Sequence, residues 1–254
     1  MSRVIGVASV KGGVGKTTIV TNLATTLSKM GYKVLAIDTN ITGANLGLHL
    51  GVSSRNILTI HDVLKNSIDI KEAIYKHQLG FHVLLGGIYL EDLNNTKMSV
   101  FKEKLNSIKK EYDIVLLDCA AGLGDEALNA INSSDELLVV TNPELPSVAD
   151  AYKVVEYAQN NWLPISGIVV NKSKDGKYQD INLKDVEEIL GKKVLQSIPE
   201  EKEVEHSVNL KKPVVNMFPN AKSSVSLQKL AYKLVGKEYK EEKTFIQKIL
   251  GFFS

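Results

Sequence analysis

The run Val4-Ile5-Gly6-Val7-Ala8-Ser9-Val10-Lys11-Gly12-Gly13-Val14-Gly15-Lys16-Thr17-Thr18 constrains this chain more than any other stretch. Its apolar start reads as a buried strand, a glycine-rich turn follows, and Lys-Thr-Thr opens an amphipathic helical pattern. Glycines let successive backbone N–H groups converge on one anion, and the helix N-terminus adds its positive dipole end. The arrangement is therefore a phosphate cradle, formed by Gly12, Gly13, Val14, Gly15, Lys16, Thr17 and Thr18. In such a cradle Lys16 reaches the β- and γ-phosphates of a nucleotide and the Thr17 hydroxyl ligates Mg²⁺. The usual pattern G-x-x-x-x-G-K-[ST] has glycine where this chain has Val10, and Lys11 is a second lysine inside the loop.

Behind the loop the chain repeats one alternation. Apolar runs rich in Val, Ile and Leu recur at Val4–Ser9, Lys33–Asp38, Phe81–Leu85, Ile114–Asp118, Glu136–Thr141, Ile165–Asn171 and Lys193–Ser197. They lack polar alternation, which predicts strands covered on both faces. Helical patterns lie near Thr18–Met30, Ile60–Lys65, Ile70–Lys76, Ser99–Lys110, Gly124–Asn132, Ser147–Gln159, Leu183–Leu190, Val204–Val208 and Ser223–Val235. The alternation predicts an α/β fold, a mostly parallel twisted sheet flanked by helices.

Composition narrows the function classes. Lys+Arg 31 against Asp+Glu 29 leaves a formal charge of +2, too small an excess for binding nucleic acid over the whole surface. No nucleic-acid partner is expected, and the pairs Lys109-Lys110 and Lys211-Lys212 read as solvated faces. The single cysteine, Cys119, excludes intrachain disulfides, zinc–cysteine sites and an iron–sulfur cluster held by one chain. It reads as a small buried residue. His49, His61, His77, His82 and His206 lack metal-ligand spacing, and Trp162, before Leu163-Pro164, reads as packing at a helix–strand turn. No apolar run reaches the roughly 18–20 residues of a membrane-spanning helix, so a cytoplasmic location is expected.

Lys11 to Thr18, K-G-G-V-G-K-T-T, resembles the deviant phosphate loop of the MinD/ParA group of P-loop ATPases, and the chain to about residue 236 resembles the MinD branch. The resemblance implies a P-loop NTPase fold, ATP and Mg²⁺ as ligands, ATP hydrolysis and an ATP-dependent homodimer. It also implies that Lys11 reaches the phosphates of the partner's nucleotide, where a cation in trans stabilises transition-state charge as an arginine finger does.

Two carboxylates end apolar strands. Asp38, in Ala36-Ile37-Asp38-Thr39-Asn40, is placed to hold Mg²⁺-bound water or the attacking water. The family pattern is D-x-D followed by an N-L pair; Asp38 and Asn45-Leu46 match it, but Asn40 stands at the second aspartate. An amide keeps the carboxylate's shape but not its charge or its capacity to accept a proton. Near-normal ATP binding with hydrolysis weakened by about 10- to 10³-fold is expected. Asp118 closes Tyr112-Asp113-Ile114-Val115-Leu116-Leu117-Asp118, a Walker B pattern, and is expected to contact Mg²⁺ through water. Cys119-Ala120-Ala121-Gly122 resembles the family's D-x-P-A-G switch with Ala120 for proline, and implies a Gly122 N–H that senses the γ-phosphate. Asn171 in Val169-Val170-Asn171-Lys172 and Pro199 in Ile198-Pro199-Glu200 resemble adenine-contacting segments. Asn142-Pro143-Glu144-Leu145-Pro146 resembles the family's N-P-E-x-P loop and reads as a structural turn near the dimer face.

The C-terminus divides from the rest. A charged run, Gly236–Lys243 (GKEYKEEK), leads into Thr244-Phe-Ile-Gln-Lys-Ile-Leu-Gly-Phe-Phe-Ser254, giving an ATPase domain 1–236, a linker 237–243 and a helix 244–254. On a helix Phe245, Ile246, Ile249, Leu250, Phe252 and Phe253 share one arc of about 160°. An amphipathic helix flanked by lysines fits an interfacial membrane anchor, and it resembles the MinD membrane-targeting sequence. Half-burying these side chains yields about 4–8 kcal/mol, while ordering the segment costs about 10 kcal/mol before helix hydrogen bonds compensate. One tail thus binds weakly and a dimer binds through avidity. The expectation is a cytoplasmic, peripheral membrane protein on the inner face of the cytoplasmic membrane, with a protein regulator or effector at the dimer surface. A ParA-like partition ATPase on nonspecific DNA, a flagellar-placement regulator and a hydrolysis-deficient scaffold share the same core motifs.

Overall fold

Strands without polar faces must be covered on both sides, and the computed structural model, which describes residues 2–65, 67–94, 96–174 and 181–240, shows how. Its strands are β1 (Arg3–Ser9), β2 (Val34–Asp38), β3 (Ile74–Lys76), β4 (His82–Leu84), β5 (Ile114–Ala121), β6 (Glu136–Thr141), β7 (Ile165–Ser173) and β8 (Val194–Pro199). They form one sheet in the order β3-β4-β2-β5-β1-β6-β7-β8. Among the described residues every strand pairing is parallel except β3 with β4. The helices are α1 (Lys16–Lys29), α2 (Leu46–Leu50), α3 (Ile60–Leu64), α4 (Phe101–Ile108), α5 (Asp125–Ile131) and α6 (Leu145–Asn160). They continue with α7 (Leu183–Leu190), α8 (Lys202–Asn209), α9 (Val214–Met217) and α10 (Lys222–Leu234).

Successive residues of each strand serve opposite cores. Leu35, Ile37, Val115 and Leu117 pack with Phe101 of α4 and Val154 of α6 on one face. Val34, Ala36, Ile114 and Leu116 pack with Leu23 of α1 and Leu230 of α10 on the other. The phosphate loop leaves β1 in the middle of the sheet, between β5 and β6. That is where an open parallel sheet presents ligands at the carboxyl ends of its strands.

The sequence pattern places the main strands and long helices within a few residues. It fails between residues 70 and 76, where it predicts a helix. Asp69 accepts from the Lys71 N–H while Glu72 accepts from the Asp69 N–H, and the 3₁₀ turn so capped ends at Ala73. Ile74 and Tyr75, side chains that favour a pleated surface, then form β3 against β4. The expected helix Ser99–Lys110 is broken into a 3₁₀ turn, α4 and a second 3₁₀ turn. The short helices α2 and α9 carry too little pattern to be read.

The linker starts packed rather than free. Lys237 Nζ lies 4.9 Å from the centre of the Tyr32 ring, and Tyr239 Oη donates to Gln228 Oε1 at 3.0 Å. The helix expected at 244–254, with Phe245, Ile246, Ile249, Leu250, Phe252 and Phe253, lies outside the described residues.

Candidate nucleotide site

The loop between β1 and α1 has the backbone that its glycines allow. Gly13 and Gly15 have φ of 74° and 101°, angles that L side chains rarely adopt. A Cβ added at Gly12 or Gly13 would meet nothing within 4 Å, whereas one at Gly15 would strike Asn171 Nδ2. The loop is therefore open where an anion sits and closed where it packs. Asn171 Nδ2 donates to the Val14 carbonyl at 2.7 Å and Lys172 Nζ to the Gly13 carbonyl at 2.9 Å, tying the loop to the end of β7.

Lys16 is buried and its Nζ donates to Ser9 Oγ at 2.9 Å, while Ser9 Oγ donates to the Lys11 carbonyl. Burial lowers the Lys16 pKa and the nearby Asp118 raises it. The ammonium thus waits at the cradle with only a hydroxyl to replace, so a phosphate oxygen is its natural partner.

Strand register brings the two acids together. Asp38 and Asp118 are direct partners on β2 and β5, and both are buried. Burial raises both carboxyls above the usual carboxylate range, with repulsion from Asp118 adding to the shift of Asp38. Opposing it at Asp118 are a hydrogen bond from Thr17 and the charge of Lys16. At Asp38 the backbone N–H groups of Asn40, Asn45 and Leu46 donate to the carboxylate, at 3.1, 2.9 and 2.9 Å. Asp38 consequently folds the following loop, and it does not line the cavity.

A cavity of about 720 Å³ opens over this floor. Of the expected residues it is lined by Gly12, Gly13, Gly15, Lys16, Thr17, Thr18, Asn40, Asp118, Asn171 and Pro199. Val14 is buried beneath the loop and contributes its carbonyl to Asn171. The Gly122 N–H, expected to face the γ-phosphate, donates to the Ser9 carbonyl at 3.1 Å, because β5 runs on past Asp118 to Ala121. Asn171 spends part of the amide expected to read a base on holding the loop. Asn40 is closed on itself: its amide donates to the Gly43 carbonyl at 2.8 Å and accepts from the Gly43 N–H at 3.1 Å.

Lys11 stands at the surface of this conformation, where its Nζ meets Glu144 Oε2 at 2.6 Å. The loop Asn142–Pro146, read as a turn, thus carries the counter-ion of the extra lysine. The ion pair in turn lowers the Glu144 pKa. Sequence reasoning misses a cavity wall formed by Glu201, Val204, Glu205 and Val208. Their spacing marks one face of a helix, and that face is the signal that could have found them. Trp162 corrects another expectation: it is 93% exposed and packs nothing.

The open cradle, the buried lysine and the hard oxygen donors Thr17 and Asp118 fit a magnesium–nucleotide, which defines a P-loop nucleotide-binding protein. Comparison with known proteins agrees. Residues 2–162 match the family model of the AAA domain. An uncharacterised ATP-binding protein of Methanocaldococcus jannaschii is 37% identical over 100% of this chain and 97% of its own. The structure of the septum site-determining protein MinD from Pyrococcus horikoshii, complexed with Mg-ADP, superposes with a TM-score of 0.89. It is 34% identical, over 93% of this chain and 97% of that one. The MinC:MinD cell division complex of Aquifex aeolicus gives 0.84 at 28% identity, covering 95% of this chain and 99% of that one. The chain belongs to the MinD family of P-loop ATPases.

Proposed function

We propose that this chain is an ATP-dependent, dimerising ATPase that associates with the membrane and positions the division site or a similar structure, with hydrolysis slowed by Asn40. The observation that carries the reading is the open Gly12–Gly13 cradle with Lys16 beneath it and Lys11 at its surface, held by one exposed counter-ion. Backbone N–H groups of the loop and Lys16 bind the β- and γ-phosphates of ATP, and Thr17 and Asp118 hold Mg²⁺. Mg²⁺, when bound, neutralises phosphate charge. Asp38 orders the loop that carries Asn40 to the cavity, and Asn40 can orient a water but cannot take its proton. Lys11 of one protomer turns from Glu144 to the nucleotide of the other. The MinC:MinD complex of Aquifex aeolicus supports a protein regulator or effector at the dimer surface.

Pairing two protomers pairs two tails, which converts weak individual binding into stable attachment. The test is cosedimentation with anionic vesicles, comparing Mg-ATP, Mg-ADP and a variant lacking Phe245–Ser254, with a DNA mobility-shift control in the same buffer. Pelleting with ATP, little with ADP and none for the truncated chain is expected. Equal pelleting of the truncated chain would refute the anchor, and an ATP-dependent DNA shift would favour a partition ATPase instead.

A further inference from the structure

We propose that Lys172 is a positioning residue of the phosphate cradle: it holds the Gly13 carbonyl from outside the loop and so aims the Val14 N–H at a bound phosphate. The proposal rests on the nucleotide reading above and deepens it, because it adds a residue that the phosphate-loop pattern does not contain.

The direction of each peptide plane decides what a loop can bind. A trans peptide carries its C=O and N–H on opposite sides, so a donor that grips one carbonyl turns the next residue's N–H the other way. Two neighbours on β7 do this to successive peptides. Asn171 Nδ2 donates to the Val14 carbonyl at 2.7 Å and Lys172 Nζ to the Gly13 carbonyl at 2.9 Å. The N–H groups so turned belong to Gly15 and Val14, and among the described residues neither has a protein acceptor. They extend the row of N–H groups at the start of α1, which lack intrahelical partners, and the whole row faces one anion.

The strand is built for this grip. Side chains on a regular strand alternate between faces, so Asn171 and Lys172 would part. Here the pairing of β7 with β8 slips: Asn171 stands opposite Ile198 and Ser173 opposite Pro199, which leaves Lys172 as an extra residue. Such a bulge re-aims a side chain, and this one brings both residues onto the loop. It holds Lys172 at φ of 57°, a left-handed angle that glycine takes freely and a lysine does not. Glycine would suit the backbone better but has no ammonium to offer. The strain is therefore kept for the side chain, at the rim of the nucleotide cavity that Lys172 lines.

Glu144 is the carboxylate that could draw the ammonium away. Its pKa is lowered first by the hydrogen bond from Lys11 and further by the charges of Lys11, Lys172 and Lys174. Lys11 takes that carboxylate at 2.6 Å, which leaves Lys172 to the carbonyl.

Calorimetric titration of the full chain with Mg-ADP tests the role without involving the dimer, since ADP carries the β-phosphate that these N–H groups meet. Mg-IDP, which has a keto group where adenine has an amine, separates phosphate binding from base reading. Lys172→Met removes the ammonium and should weaken both diphosphates equally, by about tenfold. Lys172→Arg keeps a cationic donor and should recover most of the loss. Lys172→Gly removes the ammonium and the strain together, so it should bind as weakly as Lys172→Met while melting at a higher temperature than that variant. Should Lys172→Met fail to fold, Lys172→Gly reads the same loss. Parent-like ADP binding by the variants without the ammonium would overturn the proposal. A loss seen with ADP and absent with IDP would also overturn it, making Lys172 a base reader. A parent chain that binds neither diphosphate would overturn the cradle reading itself and this proposal with it.

Discussion

Asn40 shows how much one atom can carry. Its side chain uses both halves of the amide on Gly43, donating to the carbonyl and accepting from the N–H. An aspartate has no donor for the carbonyl, so it would keep at most half of this closure and turn its free oxygen toward the cavity that the residue lines. It would also regain the charge and basicity that a water-activating group needs. Asn40→Asp is therefore expected to raise single-turnover ATP hydrolysis by about 10- to 10³-fold, with ATP affinity little changed. Rapid-quench measurement of the cleavage rate checks it, and an unchanged rate would refute the role given to Asn40. The motif could be read from the letters, but the closure onto Gly43 could not, because it depends on the loop that Asp38 folds.

Short elements position this loop from behind, through a residue that the sequence left unassigned. His61 of α3 is fully buried. Its Nε2 bonds to the Ile41 carbonyl at 3.1 Å and its Nδ1 accepts from the Gly87 N–H at 2.9 Å, which fixes the neutral tautomer with the proton on Nε2. It thereby joins α3, the Asn40–Asn45 loop and the segment after β4. Burial lowers its pKa below the ordinary 6.5, opposed by the Ile41 carbonyl and by Asp92 and Asp62, with Lys65 adding to the lowering. The sign follows: above the unfolded-state value neither state binds a proton, and below it the unfolded chain does so first. Stability is therefore lost as pH falls from about 6.5 toward the lower folded value. His61→Gln should unfold more readily at pH 8, by about 1–3 kcal/mol for a buried polar group left unpaired, yet lose less further stability between pH 7 and 5.5 than the parent. Urea melts at the two pH values measure both effects, and equal pH slopes would refute this assignment. Long elements such as α1, β5 and β6 were legible because buried strands and amphipathic helices repeat their pattern many times. β3, α2 and α9 have too few residues to repeat anything, and His61 looked isolated because its partners are backbone atoms of distant segments.

At the scale of the whole molecule, the family resemblance implied an ATP-dependent homodimer, and the structure shows what holds Lys11 within a single protomer. Lys11 and Glu144 are both partly solvent-exposed at a 2.6 Å contact, and an exposed ion pair contributes only about 0–1 kcal/mol. That is weak enough for a triphosphate to displace, so the pair biases Lys11 without locking it. If Lys11 acts in trans as proposed, Glu144 competes within one protomer for the cation that the partner's nucleotide would need. Glu144→Gln removes the competing charge and keeps the size of the side chain. It should tighten the Mg-ATP dimer by up to about fivefold for each of the two pairs released, up to about thirtyfold in all, and leave the ADP-bound protein unpaired. Lys11→Ala should abolish the dimer while preserving nucleotide binding by the cradle, since Lys16 and the loop N–H groups remain. Sedimentation velocity with Mg²⁺ and a non-hydrolysable ATP analogue decides it. A Lys11→Ala chain that still dimerises would remove the in-trans role, and a weakened Glu144→Gln dimer would mean that Glu144 supports the interface instead of restraining it.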